Sequence, residues 1–236
     1  MTRATMPFVE HLEELRSRVI KAAAAILVGS IAGFLAADWL LDVLAGPYED
    51  VAGTDSLVFF RPTEGFSVYM RVALFGGVIL AVPIVLYQLW RFVAPALTRR
   101  EKRLVVPLVL VLSTLFAAGI VLGYWSLERG LSFLLGCGGD RLDPLISAEA
   151  YLSFAMRFIL AFGVAFEFPV FLFAAVAAGI VRRETLRRGR RWAVLIIVVL
   201  AAVITPSGDP LTLLLLSAPL YLLYEATLLA TRPLRR

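Results

Sequence analysis

The sequence predicts an all-α, polytopic membrane protein with six transmembrane helices and both termini on the same side of the membrane. Three observations carry this prediction. Of the 236 residues, 60% are hydrophobic and only 17% are charged, which is more apolar surface than a water-soluble fold can bury. The apolar residues form six long runs, and the basic residues concentrate in the segments on one side of them. We therefore expect one integral membrane domain over residues 1–236.

A short amphipathic helix over residues 5–20 is predicted to precede the first span. Four apolar side chains, from Phe8 to Val19, recur at helical spacing along one stripe. Glu14 and Arg18 lie four residues apart on a neighbouring face, so they can form an intrahelical ion pair. From spacing alone, an interfacial helix with solvated charges is the simplest interpretation.

Each span is predicted from an apolar run, because a helix rises about 1.5 Å per residue and the hydrocarbon core is roughly 30 Å thick. The 24 uncharged residues 104–127 form the clearest run. The last two runs contain only 17 and 15 residues, which predicts helices that thin the bilayer around them. The predicted spans are residues 21–40, 67–91, 104–127, 152–181, 191–207 and 210–230.

The distribution of basic residues predicts the orientation. Eighteen of the 23 Lys and Arg residues fall within residues 3–21, 91–103, 182–191 and 232–236, which six spans place on one side. Cytoplasmic loops carry this excess, so both termini are expected in the cytoplasm. The sequence pI of about 9.7 follows from this asymmetry, and no nucleic-acid partner is expected.

The sequence offers little material for a metal site or a hydrolase. His11 is its one histidine and Cys137 its one cysteine, which excludes an internal disulfide and, by the number of ligands, argues against a metal site. Zinc proteases need His-Glu-x-x-His, and a serine hydrolase would need His11 itself, which precedes the first span. We therefore expect no metal and no cofactor.

Two carboxylates are singled out by their positions. Glu167 lies tenth in a 24-residue apolar run, where an ionised carboxylate costs about 2.5 kcal/mol or more. It can hold helices together, serve as a proton or substrate site, or dock a polar partner helix. Glu101 is the lone acid among five bases in residues 90–103. It can be a local ion-pair partner or can accept an arginine guanidinium bidentately.

Five segments form a pattern in a fixed order. They are HLEELRSR at residues 11–18, YQLWRFVAPAL at 87–97, EKR at 101–103, FGVAFEFP at 162–169 and Thr205-Pro206. The pattern resembles the TatC family, the polytopic receptor subunit of the twin-arginine protein translocase. The resemblance extends over more than 90% of the chain, from Phe8 to Glu225.

The resemblance implies a receptor for the export of folded proteins across the bacterial cytoplasmic membrane, driven by the proton motive force without a nucleotide. The chain has no phosphate-binding Gly-x-x-x-x-Gly-Lys-[Ser/Thr] loop, consistent with that implication. The implied partners are twin-arginine signal peptides, single-span Tat subunits of the TatA/TatB type and membrane lipid, with self-association as a further option. The implied fold is a concave, glove-like wall of six helices whose last two spans are short.

The resemblance also implies roles for individual residues at matching positions. Glu14 and Glu101 match the two carboxylates that receive the twin arginines, and Phe92 matches the aromatic side chain beside them. Arg16 matches the basic residue of the N-terminal motif, and Pro47 matches a proline of the first outer loop.

One departure concerns the contact with a partner helix. The family usually has a Gln in the sixth span after a Thr-Pro-x-Asp turn, whereas this turn has one additional residue and Leu211-Thr212-Leu213 follows it. Thr205, Asp209 and Thr212 are therefore the predicted polar contacts for a partner helix.

The interpretation that we favour is a membrane-embedded receptor rather than an enzyme. The main alternative is a proton-coupled small-molecule transporter that uses Glu167, and an intramembrane enzyme comes third. The transporter predicts an internal repeat or paired broken helices around a midplane site, and the sequence has no such repeat.

Overall fold

The computed structural model describes residues 8–53, 57–93, 105–137, 145–177, 179–205 and 208–232. Within these ranges the structure is helical, and Val58 and Ser147 form an isolated β-bridge. The predicted all-α class is confirmed. The helices are α1 (Phe8–Leu35), α2 (Ala37–Ala52), α3 (Glu64–Val93), α4 (Val105–Gly136), α5 (Ala148–Ala177), α6 (Arg183–Arg188), α7 (Arg190–Ile204) and α8 (Pro210–Ala230).

Five of these helices contain segments long and apolar enough to cross a membrane: Leu12–Leu35, Glu64–Phe92, Val106–Gly136, Ala148–Ala177 and Pro210–Ala230. The chain is a multi-pass membrane protein. Helix α7 has 15 residues, so it extends over about 22 Å and is shorter than a hydrocarbon core. The fifth span expected over residues 191–207 therefore stays a prediction. Helix α8 has 21 residues because it continues past the charged Glu225 to Ala230, so it is long enough to cross a membrane and the short sixth helix expected from the 15-residue run is not observed.

Helix α1 joins two segments that the sequence suggests are separate. It includes most of the predicted amphipathic helix and the beginning of the predicted first span. Residues 8–28 contain neither glycine nor proline, so nothing interrupts the helical hydrogen bonds between the two segments. A turn at Ala36 separates α1 from α2, and it falls inside the predicted span of residues 21–40.

The chain divides into two compact units. Unit 1 comprises Met1–Asp42 and Phe66–Thr114, and unit 2 comprises Val43–Gly65 and Leu115–Arg236. In unit 1, α1 and α3 approach closely: a Cβ added at Gly29 would lie 2.6 Å from the carbonyl oxygen of Gly77. Glycine is needed at this crossing because the two backbones touch. The Tyr69 hydroxyl donates to Asp38 Oδ1 at 2.6 Å.

In unit 2, helix α5 supplies much of the buried apolar surface. Phe158 and Phe162 are fully buried, and their ring centroids lie 4.9 Å apart. A Cβ at Gly119 of α4 would lie 2.7 Å from the carbonyl oxygen of Phe162, so these two helices also pack backbone to backbone. The buried Tyr151 hydroxyl donates to the carbonyl oxygen of Leu44 at 2.7 Å and ties α5 to α2.

Candidate functional site

The first group of candidate residues lies on α1 of unit 1. Arg18 Nη2 donates to Glu14 Oε1 at 3.1 Å, and Arg18 Nη1 donates to Gln88 Oε1 of α3 at 3.2 Å. The side chains of Arg18 and Glu14 are 17% and 20% exposed. The ion pair predicted from their four-residue spacing is therefore confirmed. Arg18 also holds the carboxylate of Glu14 beside the last turns of α3.

The end of α3 contributes the aromatic part of this region. Gln88 and Phe92 lie four residues apart on one face of α3, and Phe92 is half-buried. The residues just before these two also interact: Arg91 Nη1 donates to the Tyr87 hydroxyl at 2.9 Å. The guanidinium of Arg18, which binds Glu14, thus also binds Gln88 on the face of α3 that carries Phe92.

The other predicted residues of the signal-peptide site are placed differently. Arg16 is exposed and lines a pocket of about 380 Å³ together with Glu13, Ser17 and Lys21, among others. It lies two residues from Glu14 and therefore on a different side of α1. Glu101 lies outside the described residues, so the structure gives no distance between the two predicted carboxylates.

Glu167 lies in the middle of α5 and is 6% exposed. Neither of its carboxylate oxygens has a hydrogen-bond partner among the residues that the structure describes. Buried carboxylates usually have partners, because leaving such a group without one is costly. The structure thus shows a buried carboxylate without a hydrogen-bond partner among the described residues, and the functional role expected from the sequence stays a prediction.

A third carboxylate, Glu64, was not singled out by the sequence. It is the first residue of α3, and it is 3% exposed. Its Oε2 accepts backbone N–H groups of Phe60 at 2.9 Å and Arg61 at 3.3 Å, and its Oε1 accepts the N–H of Glu149 at 3.0 Å. An acid in the first helical turn after a Pro-containing segment was the available indication.

The predicted partner-docking residues form a helix start in unit 2. Asp209 is the N-cap of α8, and its Oδ1 accepts the backbone N–H of Thr212 at 2.9 Å. The Thr212 hydroxyl donates to Asp209 Oδ2 at 2.5 Å, and the buried Thr205 hydroxyl donates to the carbonyl oxygen of Ala201. All three side chains are buried, so within this chain they stabilise the ends of α7 and α8.

Two further predictions concern loops and ligands. Pro47, which the family resemblance assigns to the first outer loop, lies instead inside α2 and is buried. Among the residues that the structure describes, no group of three His, Cys, Asp or Glu side chains is arranged to hold a metal ion.

The family is decided by comparison with known proteins. The family model described as "Sec-independent protein translocase protein (TatC)" matches residues 10–219. The chain belongs to the TatC family. The resemblance inferred from its motifs is thereby confirmed, and the chain is a translocase subunit.

Relatives of similar length support this assignment. The TatC proteins of Aquifex aeolicus and Carboxydothermus hydrogenoformans are each 38% identical to this chain. The first alignment covers 96% of this chain and 97% of the relative, and the second covers 94% and 91%. A solved crystal structure of the twin-arginine translocase receptor TatC in DDM matches with a TM-score of 0.80 at 37% identity. The structural alignment covers 93% of this chain and 98% of the chain in the crystal structure.

Proposed function

We propose that this TatC protein is the receptor and core subunit of its twin-arginine translocase and binds Arg-Arg signal peptides at the cytoplasmic face. One observation carries the proposal. The carboxylate of Glu14 is held by an arginine that also contacts the helical face bearing Phe92. A carboxylate already bound to a guanidinium, beside a half-buried aromatic ring, has the chemistry that an arginine of a signal peptide needs.

The exchange of arginines follows from this geometry. An incoming guanidinium either displaces Arg18 from Glu14 or binds the carboxylate oxygen that Arg18 leaves free. The Arg18 guanidinium keeps its contact with Gln88 in either case, so the helices stay together. Glu101, which follows the Pro-Ala-Leu motif in the sequence, receives the second arginine.

The binding experiment uses the purified full chain in detergent and a labelled peptide with two arginines. Glu14→Ala and Glu101→Ala should each weaken binding about ten- to a hundredfold, because each removes one acceptor of a charge-assisted pair. A peptide with both arginines changed to lysine should bind poorly, since lysine cannot form the bidentate contact.

Glu13→Ala is the matched control. Glu13 neighbours Glu14 on α1 but is exposed and lies outside the ion pair. Its substitution should leave the affinity unchanged. Wild-type affinity in the double variant of Glu14 and Glu101 would remove this site from consideration. Loss of folded protein in both single variants would instead assign the two carboxylates a structural role.

The proposed setting is the bacterial cytoplasmic membrane, with both termini in the cytoplasm and the proton motive force as the energy source. The concentration of Lys and Arg in the segments assigned to the cytoplasm supports this orientation. In this setting the protein acts as a platform rather than an enzyme. It recruits single-span subunits of the TatA/TatB type, and association with lipid or with further copies of the chain is part of the same proposal.

The proposed docking edge for a single-span subunit is formed by α7 and α8. Helix α7 is short and exposes Leu195, Val199 and Val203 at four-residue intervals along one face. Thr205, Asp209 and Thr212, which the sequence predicts as polar contacts, are buried and hydrogen-bonded within this chain, so in this proposal they fix the ends of α7 and α8 beside the edge. Interhelical hydrogen bonds in membranes contribute only about 0.6 to 2 kcal/mol, so close apolar packing must supply most of the affinity.

Cysteine crosslinking tests this edge. The native Cys137 is exposed and is first replaced by serine. Cysteines placed within residues 205–218 should crosslink to the outer half of a partner helix, and a cysteine near Leu115 of α4 should crosslink less. Preferential crosslinking at Leu115 would move the docking edge to other helices.

A further inference from the structure

A cationic pocket lies where α6, α7 and the end of α8 meet in unit 2. Its volume is about 760 Å³, and we call it the arginine pocket. Four arginines line it together with one acid and two leucines: Arg183, Arg187, Arg190, Arg232, Glu225, Leu228 and Leu229. Four guanidinium groups and one carboxylate give these side chains a net charge of +3. The signal-peptide proposal uses none of them.

The contacts inside the pocket leave cationic groups available. Arg190 Nη2 binds Glu225 Oε2 at 2.8 Å, and the Tyr221 hydroxyl donates to Glu225 Oε1 at 3.1 Å. The acid therefore neutralises one of the four arginines. Arg183 Nε donates to the carbonyl oxygen of Leu228, which fixes its side chain at the pocket wall. Arg187 and Arg232 are exposed and form no ion pair with any residue that the structure describes.

The location of the pocket indicates what kind of molecule would reach it. Helix α8 is a membrane-spanning segment that ends at Ala230, and Arg232 follows two residues later. The guanidinium groups thus lie at the level where lipid headgroups meet the end of a span. Leu229 is 52% exposed at the pocket, and Leu222, seven residues earlier on the same face, is 69% exposed. This face offers an apolar path from the pocket into the hydrocarbon region.

We propose that the arginine pocket binds the headgroup of an anionic phospholipid with two phosphates, of the cardiolipin type, with an acyl chain along Leu229 and Leu222. Arginine forks bind phosphate oxygens bidentately, and basic pockets beside spans are suited to such headgroups. Two phosphates balance most of the net charge of the pocket. Free phosphate or an acidic peptide has no acyl chain to bury along the apolar face of Leu229 and Leu222. That face therefore favours a lipid over a soluble anion.

The test measures binding of tetraoleoyl cardiolipin to the purified full chain in detergent by native mass spectrometry. Each arginine that contacts the headgroup is expected to contribute about fivefold in affinity, so the double variant R187A/R232A should lose about 25-fold. The control variant R188A/R191A removes two exposed arginines from the same segment that do not line the pocket, and it should stay within twofold of wild type. An equal loss in both would mean non-specific attraction and overturn the proposal.

A second variant has an effect of opposite sign. Glu225→Gln removes the acid and frees Arg190, so cardiolipin should bind more tightly, whereas a purely structural role for this ion pair predicts weaker binding. Inorganic pyrophosphate, a soluble anion with two phosphates, tests whether the pocket binds a soluble ligand instead of a lipid. Displacement of cardiolipin by pyrophosphate at equal concentration would reassign the pocket to a soluble anion. R187A/R232A should retain signal-peptide binding, so this inference and the proposed function can fail separately.

Discussion

Glu64 and Glu167 are both buried carboxylates in unit 2, at 3% and 6% exposure, yet their surroundings are opposite. Glu64 accepts three backbone N–H groups, and both of its oxygens are used. Glu167 has no hydrogen-bond partner among the described residues. Burial alone therefore does not reveal what a carboxylate does, whereas the supply of donors around it does.

The difference follows from where each residue lies in its helix. Glu64 is at the start of α3, where backbone N–H groups of the loop before the helix have no partner of their own. Glu167 is in the middle of α5, where backbone N–H groups are already bonded to the preceding turn. A carboxylate at a helix start can be satisfied by its own loop. One in the middle of a span depends on other side chains, on water, on a proton or on a partner protein.

The largest effect on stability is expected for Glu64→Ala. The change leaves three N–H groups without their acceptor, and one of them, that of Glu149, is 85 residues distant in sequence. The thermal unfolding midpoint of the purified protein in detergent should fall by roughly 5 °C or more. The midpoint of Glu64→Gln should lie between those of wild type and Glu64→Ala, because the amide oxygen still accepts hydrogen bonds.

Glu128→Ala is the control for this variant, since Glu128 is an exposed acid on α4. Its midpoint should not move. If Glu64→Ala were equally stable, the three hydrogen bonds would contribute nothing, and the contrast with Glu167 would disappear.

The sequence predicts the parts of this molecule that the bilayer dictates. Apolar runs locate the spans because a fixed hydrocarbon thickness demands helices of matching length. Helical spacing predicts the ion pair of Glu14 and Arg18, because residues four apart are neighbours whatever the tertiary structure. The contact of Arg18 with Gln88 links residues 70 apart, and no spacing rule indicates it. The hydrogen bond from the Glu149 N–H to Glu64 was missed for the same reason, since the two residues are 85 apart, whereas the donors Phe60 and Arg61 are local.

A smaller and opposite effect on stability is expected for Glu167→Gln. The amide retains the shape of the side chain but carries no charge, so the unfolding midpoint should stay within about 2 °C of wild type or rise. Transport of a folded precursor by the assembled translocase, or binding of a partner subunit, should nevertheless weaken. A drop in stability like that of Glu64→Ala would mean that this carboxylate has a partner and a structural role.

Ser126→Ala is the matched control for Glu167→Gln. The hydroxyl of Ser126 is also buried without a hydrogen-bond partner among the described residues, and it lies on α4 of the same unit. Its loss should leave transport unchanged. Proteoliposomes that contain only this protein test the alternative function. Uptake of a small solute with a pH profile altered in Glu167→Gln would favour the proton-coupled transporter over the receptor.

The smallest effect on stability is expected for Glu14→Gln, although its effect on signal-peptide binding should be large. A half-buried ion pair at four-residue spacing on one helix contributes only about 0.3 to 0.5 kcal/mol. Arg18 also keeps Gln88 as an acceptor after the change. The unfolding midpoint should therefore shift by less than about 2 °C, measured under the same conditions as for Glu64→Ala. A large shift would show that Glu14 belongs with Glu64 as a structural carboxylate, and the loss of peptide binding would then reflect misfolding rather than a lost contact.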